Sequence, residues 1–317
     1  MKKNIIRICA AAAAVVIVLV AARLLFDFSR NKKTTNLSGD APVSSGRQSK
    51  TLKRVNDLLL SGKKSEAVSE LEKIADSFKG KQEGYEAVSM LADIYNKDGN
   101  FVKAKSMYHE IISSYSQFCD YAFVQKNISS VNMSILFSDI VAAGSELYTV
   151  APGDSLAKIA KRFSTTVELI QKANGLKSDV IIPGVKLKVQ NRPFSIIVDN
   201  TQCVLTVLLD DEVIKTYDVA TGKNNCTPIG VFQIKDKLIN PVWYNKGTAV
   251  PAGSPENVLG TRWMGLATPQ SGYGIHGTTE PESIGYQSTE GCVRMRNEDV
   301  EELYSIIPVG TSVTVIE

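Results

Sequence analysis

The stretch "HGTTEPESIGYQSTEGCVRM" (residues 276–295) contains a histidine, a cysteine and glycines beside both. His276 is one of only two histidines in the chain, and Cys292 is the last of five cysteines. A cysteine attacks a carbonyl group as the thiolate, and a nearby imidazole promotes that form. Backbone N–H groups of a Gly-Cys turn can then stabilise the oxyanion. Because an arbitrary cysteine is more often buried and inert, the surrounding sequence has to decide.

That surrounding sequence alternates apolar and polar residues with a period of two, which is typical of β-strands. Helical periodicity returns only once, over residues 297–307. We therefore predict a mostly β domain over residues 193–317. Its strand-like segments are "FSIIVDN", "CVLTVLLD", "EVIKTYDVATG", "GVFQIKDKL", "RWMGLAT" and "TSVTVIE".

Four separated motifs of this domain resemble the YkuD-type L,D-transpeptidase family, in its order and spacing. They are "CTPIGVFQI", "NVLGTRWMGL", "GYGIHGTTEPESIG" and "STEGCVRMRNEDVEELYSIIPVGTSVTV". The resemblance implies that Cys292 is the nucleophile, that His276 is the general base and later the acid, and that carbapenems acylate the cysteine. The Gly277 carbonyl would orient the imidazole. The N–H groups of Gly291 and Cys292 would donate to the oxyanion, and the guanidinium of Arg294 would shape the site or hold a substrate carboxylate.

One position departs from the family, which often has Ser-His-Gly-Cys where this chain has Thr289-Glu290-Gly291-Cys292. Thr289 keeps the hydroxyl group. The carboxylate of Glu290 would oppose thiolate formation if it pointed into the site, and would be harmless if it pointed outward. Both orientations are open at this point.

Residues 147–190 resemble a LysM module, with a strand, two helices and a second strand in about forty residues. Such modules bind glycans that contain N-acetylglucosamine, although a folding module without ligand is the alternative. The three-residue linker that follows (residues 190–192) predicts a function separable from that of the β domain. By resemblance, the residues that border the glycan groove are Gly153, Asp154, Ser155, Ile181, Ile182 and Pro183.

Residues 51–145 show helical periodicity, and two segments repeat at a spacing of 37 residues. The matched pairs are Gly62 and Gly99, Ala67 and Ala104, Leu71 and Tyr108, and Ile74 and Ile111. The pattern resembles a tetratricopeptide unit, with a third, poorer helix pair over residues 120–143. Two or three units form little groove, which favours a spacer or small docking module over a large partner-binding surface. His109 lies on the apolar-periodic helix and is predicted to be structural.

The N-terminal residues 1–28 combine basic residues with an apolar run, which predicts a membrane anchor; a cleaved signal peptide ending near Ala22 is the alternative. Residues 29–50 are polar and predict a flexible tether. The net charge of +3 does not favour nucleic-acid binding. The unclustered cysteines and two histidines do not favour a zinc site, and the ping-pong route that the resemblance implies needs no metal or organic cofactor. A Cys203–Cys226 disulfide is a minor alternative.

Together these features predict a multi-domain chain of α-helical hairpin repeats, a small βααβ LysM module and a mostly β catalytic domain. The resemblances imply an extracytoplasmic enzyme of the cell envelope, anchored in the cytoplasmic membrane, whose peptidoglycan partner is bound at both modules. It would form a thioester on Cys292 and transfer the acyl group to an amine of a stem peptide or protein. An L,D-carboxypeptidase with water as acceptor, and a peptidoglycan-binding scaffold, are the alternatives.

Overall fold

The computed structural model describes residues 50–245 and 247–317. The predicted anchor and nearly all of the predicted tether lie outside the described residues. The chain divides into two compact units, one ending at Ile128 and the other being Ser129–Glu317. Within the described ranges, no helix is long and apolar enough to cross a membrane.

The first unit is made of helix hairpins whose repeated positions are buried alike. Gly62 and Gly99 form the turns of the two hairpins, both with φ of +73°, a conformation that favours glycine. The repeated alanines at 67 and 104 are fully buried, as the repeat predicts. The helices are α1 (Lys50–Leu60), α2 (Lys64–Ser77), α3 (Gln82–Lys97), α4 (Phe101–Ser114) and α5 (Tyr121–Leu136), which continues into the second unit.

The predicted third helix pair is wrong, because α5 is a single helix. Only eight residues, 137–144, separate its end from the next strand at Ser145. That length is too short for a turn followed by a helix of ordinary size.

The second unit begins with the predicted strand–helix–helix–strand module. Strand β1 (Ser145–Thr149) pairs antiparallel with β2 (Lys186–Gln190). Between them lie α6 (Leu156–Arg162) and α7 (Val167–Ala173), whose first turns are capped by the hydroxyl groups of Ser155 and Thr166. Their small apolar core is formed by Val150, Leu156, Ile159, Ala160, Ile170, Leu187 and Val189.

The C-terminal part of this unit is an eight-stranded sheet, in agreement with the mostly β prediction. Its strands are β3 (Phe194–Asp199), β4 (Val204–Leu209), β5 (Glu212–Asp218), β7 (Gly230–Ile239), β10 (Arg262–Leu266), β11 (Gly274–His276), β13 (Val293–Arg294) and β14 (Ser312–Ile316). Their spatial order in the sheet is β13-β11-β10-β7-β14-β3-β4-β5. Two small pairs accompany it, β6 (Thr221–Gly222) with β12 (Gln287–Thr289) and β8 (Trp243–Asn245) with β9 (Thr248–Val250), and one α-helix, α8 (Asn297–Ile306).

The LysM-like module and the β domain pack together, although the short linker predicts separable modules. Leu169 of α7 belongs to the same buried apolar cluster as Phe194 of β3 and Leu303 of α8. Thr166 donates a hydrogen bond to the Ser305 carbonyl, and Lys172 Nζ lies 2.9 Å from Ser305 Oγ. Removing the module would therefore expose apolar surface of the β domain.

Lys188 fastens β2 to the end of α5. Its Nζ donates hydrogen bonds to the carbonyls of Ile135 at 2.6 Å and Ser138 at 2.8 Å. The last carbonyls of a helix lack hydrogen-bond donors within the helix, and here the ammonium group of Lys188 provides a donor. Lys188 is buried, and its burial lowers the pKa of the ammonium group to about 8.

We expect Lys188→Met to lower the free energy of unfolding by about 1–3 kcal/mol, because the Leu136 and Ser138 carbonyls lose the donor that Lys188 supplies. Lys186→Met is the matched control, since Lys186 lies on the same strand and is exposed. Urea unfolding followed by tryptophan fluorescence measures the effect, because both tryptophans, Trp243 and Trp263, lie in the unit that contains Lys188. Equal effects of the two substitutions would contradict this role.

Candidate active site

The two ends of the opening stretch are brought together by a pair of parallel strands. Strand β11 pairs with β13 so that Ile275 is opposite Val293 and His276 is opposite Arg294. Cys292 directly precedes β13. A separation of sixteen residues in sequence therefore becomes adjacency in the sheet.

His276 is buried, with 3% of its surface exposed. Its Nδ1 lies 2.7 Å from the Gly277 carbonyl oxygen. Because a carbonyl only accepts, Nδ1 carries the proton, and in the neutral ring Nε2 is left as the acceptor. Burial lowers the pKa of His276 to about 4; the charge of Arg294 acts in the same direction, and the backbone contacts with Gly277 and Leu259 oppose it. The imidazole is therefore neutral at pH 7.

Cys292 is half-buried. Burial raises the pKa of its thiol, while a hydrogen bond from the Gly274 backbone and the charge of Arg294 lower it. Its Sγ lies 3.4 Å from the Gly272 carbonyl oxygen, to which the thiol donates. Burial thus favours a resting pair of neutral thiol and neutral imidazole, in place of the ion pair that the residue types alone suggest.

The turn before Cys292 is held by Thr289. The Gly291 N–H donates to Thr289 Oγ1 at 3.1 Å, and that hydroxyl donates to the Cys292 carbonyl at 2.6 Å. Gly291 has φ of +120°, and a Cβ there would lie 2.5 Å from Tyr273 Cε1. The position therefore requires glycine, and its N–H is already bonded within the turn.

Glu290 points away from this turn. Its side chain is 94% exposed, and its Oε1 lies 3.4 Å from Lys223 Nζ. A carboxylate in this position is surrounded by water, which screens its effect on the thiol. Of the two orientations open from the sequence, the structure has the harmless one.

Arg294 is committed to neighbours on the same loop. Its side chain is only 12% exposed, and Nη1 lies 2.6 Å from Glu280 Oε2 and 3.1 Å from Ser283 Oγ. Holding a substrate carboxylate would compete with Glu280 for the same guanidinium. The resemblance implies that Arg294 either shapes the site or holds a substrate carboxylate, and this geometry favours the first role.

Sequence reasoning missed Asn297 as part of the site and treated it only as a helix start. Its Oδ1 accepts from the N–H groups of Thr261 and Thr278, each at 3.2 Å. Its Nδ2 donates to the Thr278 carbonyl at 2.9 Å. These bonds fix the backbone next to Gly277, the residue that holds the imidazole. An asparagine at a helix start is ordinarily interpreted as a cap, which hid the second role.

Cys226 also lies beside the site, with Sγ 3.8 Å from the Thr289 carbonyl oxygen. The sequence offered it as a minor disulfide alternative with Cys203. Both thiols are free in the structure, and Cys203 donates to the Asn200 carbonyl at 3.6 Å. Cys226 is exposed and lies against this turn, so it serves as the control in experiments on Cys292.

In the LysM-like module, the predicted groove residues divide into two groups. Gly153, with φ of +84°, and Ser155, which caps α6, build the turn. Asp154 Oδ2 belongs to the same group, since it accepts from the Ala151 N–H at 2.8 Å and the Tyr148 hydroxyl at 2.7 Å. Ile181 packs against the module core, whereas Ile182 is 66% exposed and Pro183 is exposed as well. Ile182 and Pro183 are therefore the exposed apolar members of this set.

No group of three or more histidine, cysteine, aspartate or glutamate side chains that could hold a metal ion occurs in the part of the chain that the structure describes.

Comparison with known proteins assigns both C-terminal modules. The L,D-transpeptidase catalytic domain of the YkuD family matches residues 193–315, and the LysM domain matches residues 148–190. A Bacillus licheniformis protein whose name assigns it to the L,D-transpeptidases, YkuD, is 37% identical over 178 residues, covering 53% of this chain and 98% of the relative. A similarly named Bacillus subtilis protein, YqjB, is 42% identical over 126 residues, which are 38% of this chain and 70% of the relative.

Among solved structures, an L,D-transpeptidase from Mycobacterium smegmatis is similar with a TM-score of 0.34 and 21% identity, covering 43% of this chain and 65% of that chain. The family assignment follows from the Bacillus relatives. The chain belongs to the YkuD family of L,D-transpeptidases and carries a LysM domain, which confirms both resemblances. These two domains place it at the peptidoglycan of the cell envelope.

We expect the second-order rate constant for acylation by a carbapenem to stay level from about pH 5 to pH 8. A base whose pKa is about 4 is still mostly unprotonated at the lower end of this range. An ordinary imidazole would be half protonated near pH ~6.5. Stopped-flow measurement of acylation across this range, with circular dichroism to verify folding, tests the expectation. A loss of rate below pH ~6.5 would contradict it.

Glu290→Gln is the matched control for this profile. Because the carboxylate lies in solvent, removing its charge should leave the profile where it is. A shift of the profile to lower pH in Glu290→Gln would show that the Glu290 carboxylate acts electrostatically on the Cys292 thiol.

Proposed function

We propose that Cys292 is the nucleophile of this L,D-transpeptidase and that His276 is its general base and acid. The observation that supports this most is the parallel pairing of β11 with β13, which brings the strand that ends in His276 next to the strand that Cys292 precedes. The imidazole there carries its proton on Nδ1. A scaffold protein would not need this arrangement of thiol, tautomer and buried ring.

The proposed acylation begins as Cys292 Sγ turns from the Gly272 carbonyl toward the substrate. His276 Nε2 accepts the thiol proton while sulfur attacks the amide carbonyl between a diamino acid and a terminal D-alanine. The backbone N–H of Cys292, with that of Gly291 once it leaves Thr289, would donate to the oxyanion. His276 then gives the proton to the departing amine, so that D-alanine leaves and a thioester remains.

Deacylation reverses the proton path. An acceptor amine attacks the thioester carbonyl, His276 takes a proton from that amine, and the proton returns to sulfur as the amide forms. A buried neutral pair suits this cycle, because charge appears only in the transition state, where the fixed dipoles around the site stabilise it.

The further parts of the proposal concern location and partners. The LysM domain would dock the enzyme on glycan strands through the exposed edge at Ile182 and Pro183. Residues 1–28 would anchor the chain in the cytoplasmic membrane, with the described residues outside the cytoplasm. The helical repeats would act as a spacer or a small docking module for another protein.

Incubation with a muropeptide that carries a tetrapeptide stem tests the proposed reaction. We expect cross-linked dimer and free D-alanine from the wild-type protein, and no product from Cys292→Ser. Cys226→Ser is the matched control and should form dimer, because that thiol lies outside the strand pair. Mass spectrometry would overturn the transferase proposal if it found only the tripeptide stem, since water would then be the acceptor.

We expect Ile182→Asp to weaken binding to purified cell-wall sacculi about tenfold, because a charge would replace an exposed apolar contact at the proposed groove. Val309→Asp is the matched control, since Val309 is an exposed apolar residue of the same unit at 57% exposure. Sedimentation with sacculi measures binding, and turnover of the soluble muropeptide should not change. Unaltered binding of Ile182→Asp would contradict the groove assignment.

A further inference from the structure

The face of the sheet that carries His276 also carries two side chains that the resemblance assigns no role. Trp263 of β10 is the Cα partner of His276 of β11, and their rings are stacked, with centroids 5.8 Å apart and an interplanar angle of 21°. Opposite residues of paired strands share a face. The indole therefore covers one side of the buried imidazole.

The indole is itself held by a third strand. Trp263 Nε1 donates to Asp236 Oδ1 of β7 at 3.0 Å. Trp263 is opposite Leu238, two residues beyond Asp236, so Asp236 is the diagonal neighbour on the same face. Asp236, Trp263 and His276 thus form one row across β7, β10 and β11.

Two glycines make room for this row. A Cβ at Gly274 would lie 2.6 Å from Trp263 Cη2, and a Cβ at Gly265 would lie 2.5 Å from Asp236 Oδ1. Neither glycine has a positive φ. Their small size is therefore explained by the space that the indole and the carboxylate occupy.

The row adds a restraint to those that the backbone places on the imidazole. The Nδ1 bond to the Gly277 carbonyl fixes the tautomer, and the Leu259 backbone also contacts the ring. The indole face blocks tilting to one side, and the bond to Asp236 prevents the indole from moving away. When His276 becomes an imidazolium during attack, the same indole face also stabilises the charge.

We propose that Trp263 and Asp236 are positioning residues, which act as a pair on the imidazole of His276. This inference rests on the proposed role of His276. It assigns Asp236 no contact with substrate; the carboxylate acts only through the indole N–H.

A double-mutant cycle tests whether the two residues act through one hydrogen bond. Trp263→Phe keeps a stacked ring without the N–H, and Asp236→Ala removes the acceptor. We expect each to lower the carbapenem acylation rate constant about three- to tenfold, with little change in the drug concentration for half-saturation. The double variant should be no slower than the slower single variant, because both remove the same bond.

Two further variants serve as controls of this cycle. Asp236→Asn keeps an oxygen acceptor and should restore most of the rate. Asp211→Ala removes an exposed carboxylate from the β4–β5 turn of the same domain and should have no effect. The proposal that Trp263 and Asp236 act as a pair would be overturned if the losses of acylation rate were additive in the double variant. It would also be overturned if the single variants reacted as fast as the wild type.

Nuclear magnetic resonance of protein labelled with ¹⁵N-histidine provides a readout that does not depend on activity. The chain has two histidines, so His109 is an internal reference on a helix of the other unit. We expect Trp263→Phe and Asp236→Ala to shift the ring signals of His276 and leave those of His109 in place. Unchanged His276 signals in the two variants would overturn the inference. If the variants shift these signals but the wild-type protein is inactive, the proposed function is overturned instead.

Discussion

The backbone pairing of β11 with β13 is the constraint on which the rest of the site depends. Strand β13 is only two residues long, yet it is bonded on both sides. On one side, the Met295 N–H donates to the His276 carbonyl at 2.8 Å; on the other, Arg294 and Ala220 exchange two backbone hydrogen bonds, each of 2.8 Å. The cysteine is thereby fixed at the end of a doubly anchored strand, next to the strand that ends in the histidine.

Burial then determines the chemistry of the pair. It lowers the pKa of the imidazole and raises the pKa of the thiol, so both groups rest in their neutral forms. Arg294 opposes the protonated imidazole and favours the thiolate, but its ion pair with Glu280 moderates that field. The resting site thus contains a neutral base and a neutral nucleophile, and we expect charges to separate only when the substrate is attacked.

The sequence predicts the modules better than it predicts their contacts. The strands, the capped helices of the LysM domain and the hairpin turns at Gly62 and Gly99 follow from local periodicity and turn chemistry, which act within a few residues. The outward direction of Glu290 and the row from Asp236 to His276 depend on register across several strands. No local pattern specifies that register, so these features required the structure. The packing of Leu169 into the β-domain core was missed for the same reason.

Among all measurements, mapping of the carbapenem adduct tests the central claim most directly, because two thiols lie near the same turn. Trypsin separates them, since Cys292 falls in the peptide 263–294 and Cys226 in the peptide 224–235. Our account predicts that the drug mass appears on the peptide 263–294, at Cys292, while Cys226 remains open to alkylation. Drug mass on the peptide 224–235, or on neither peptide after full loss of activity, would contradict it.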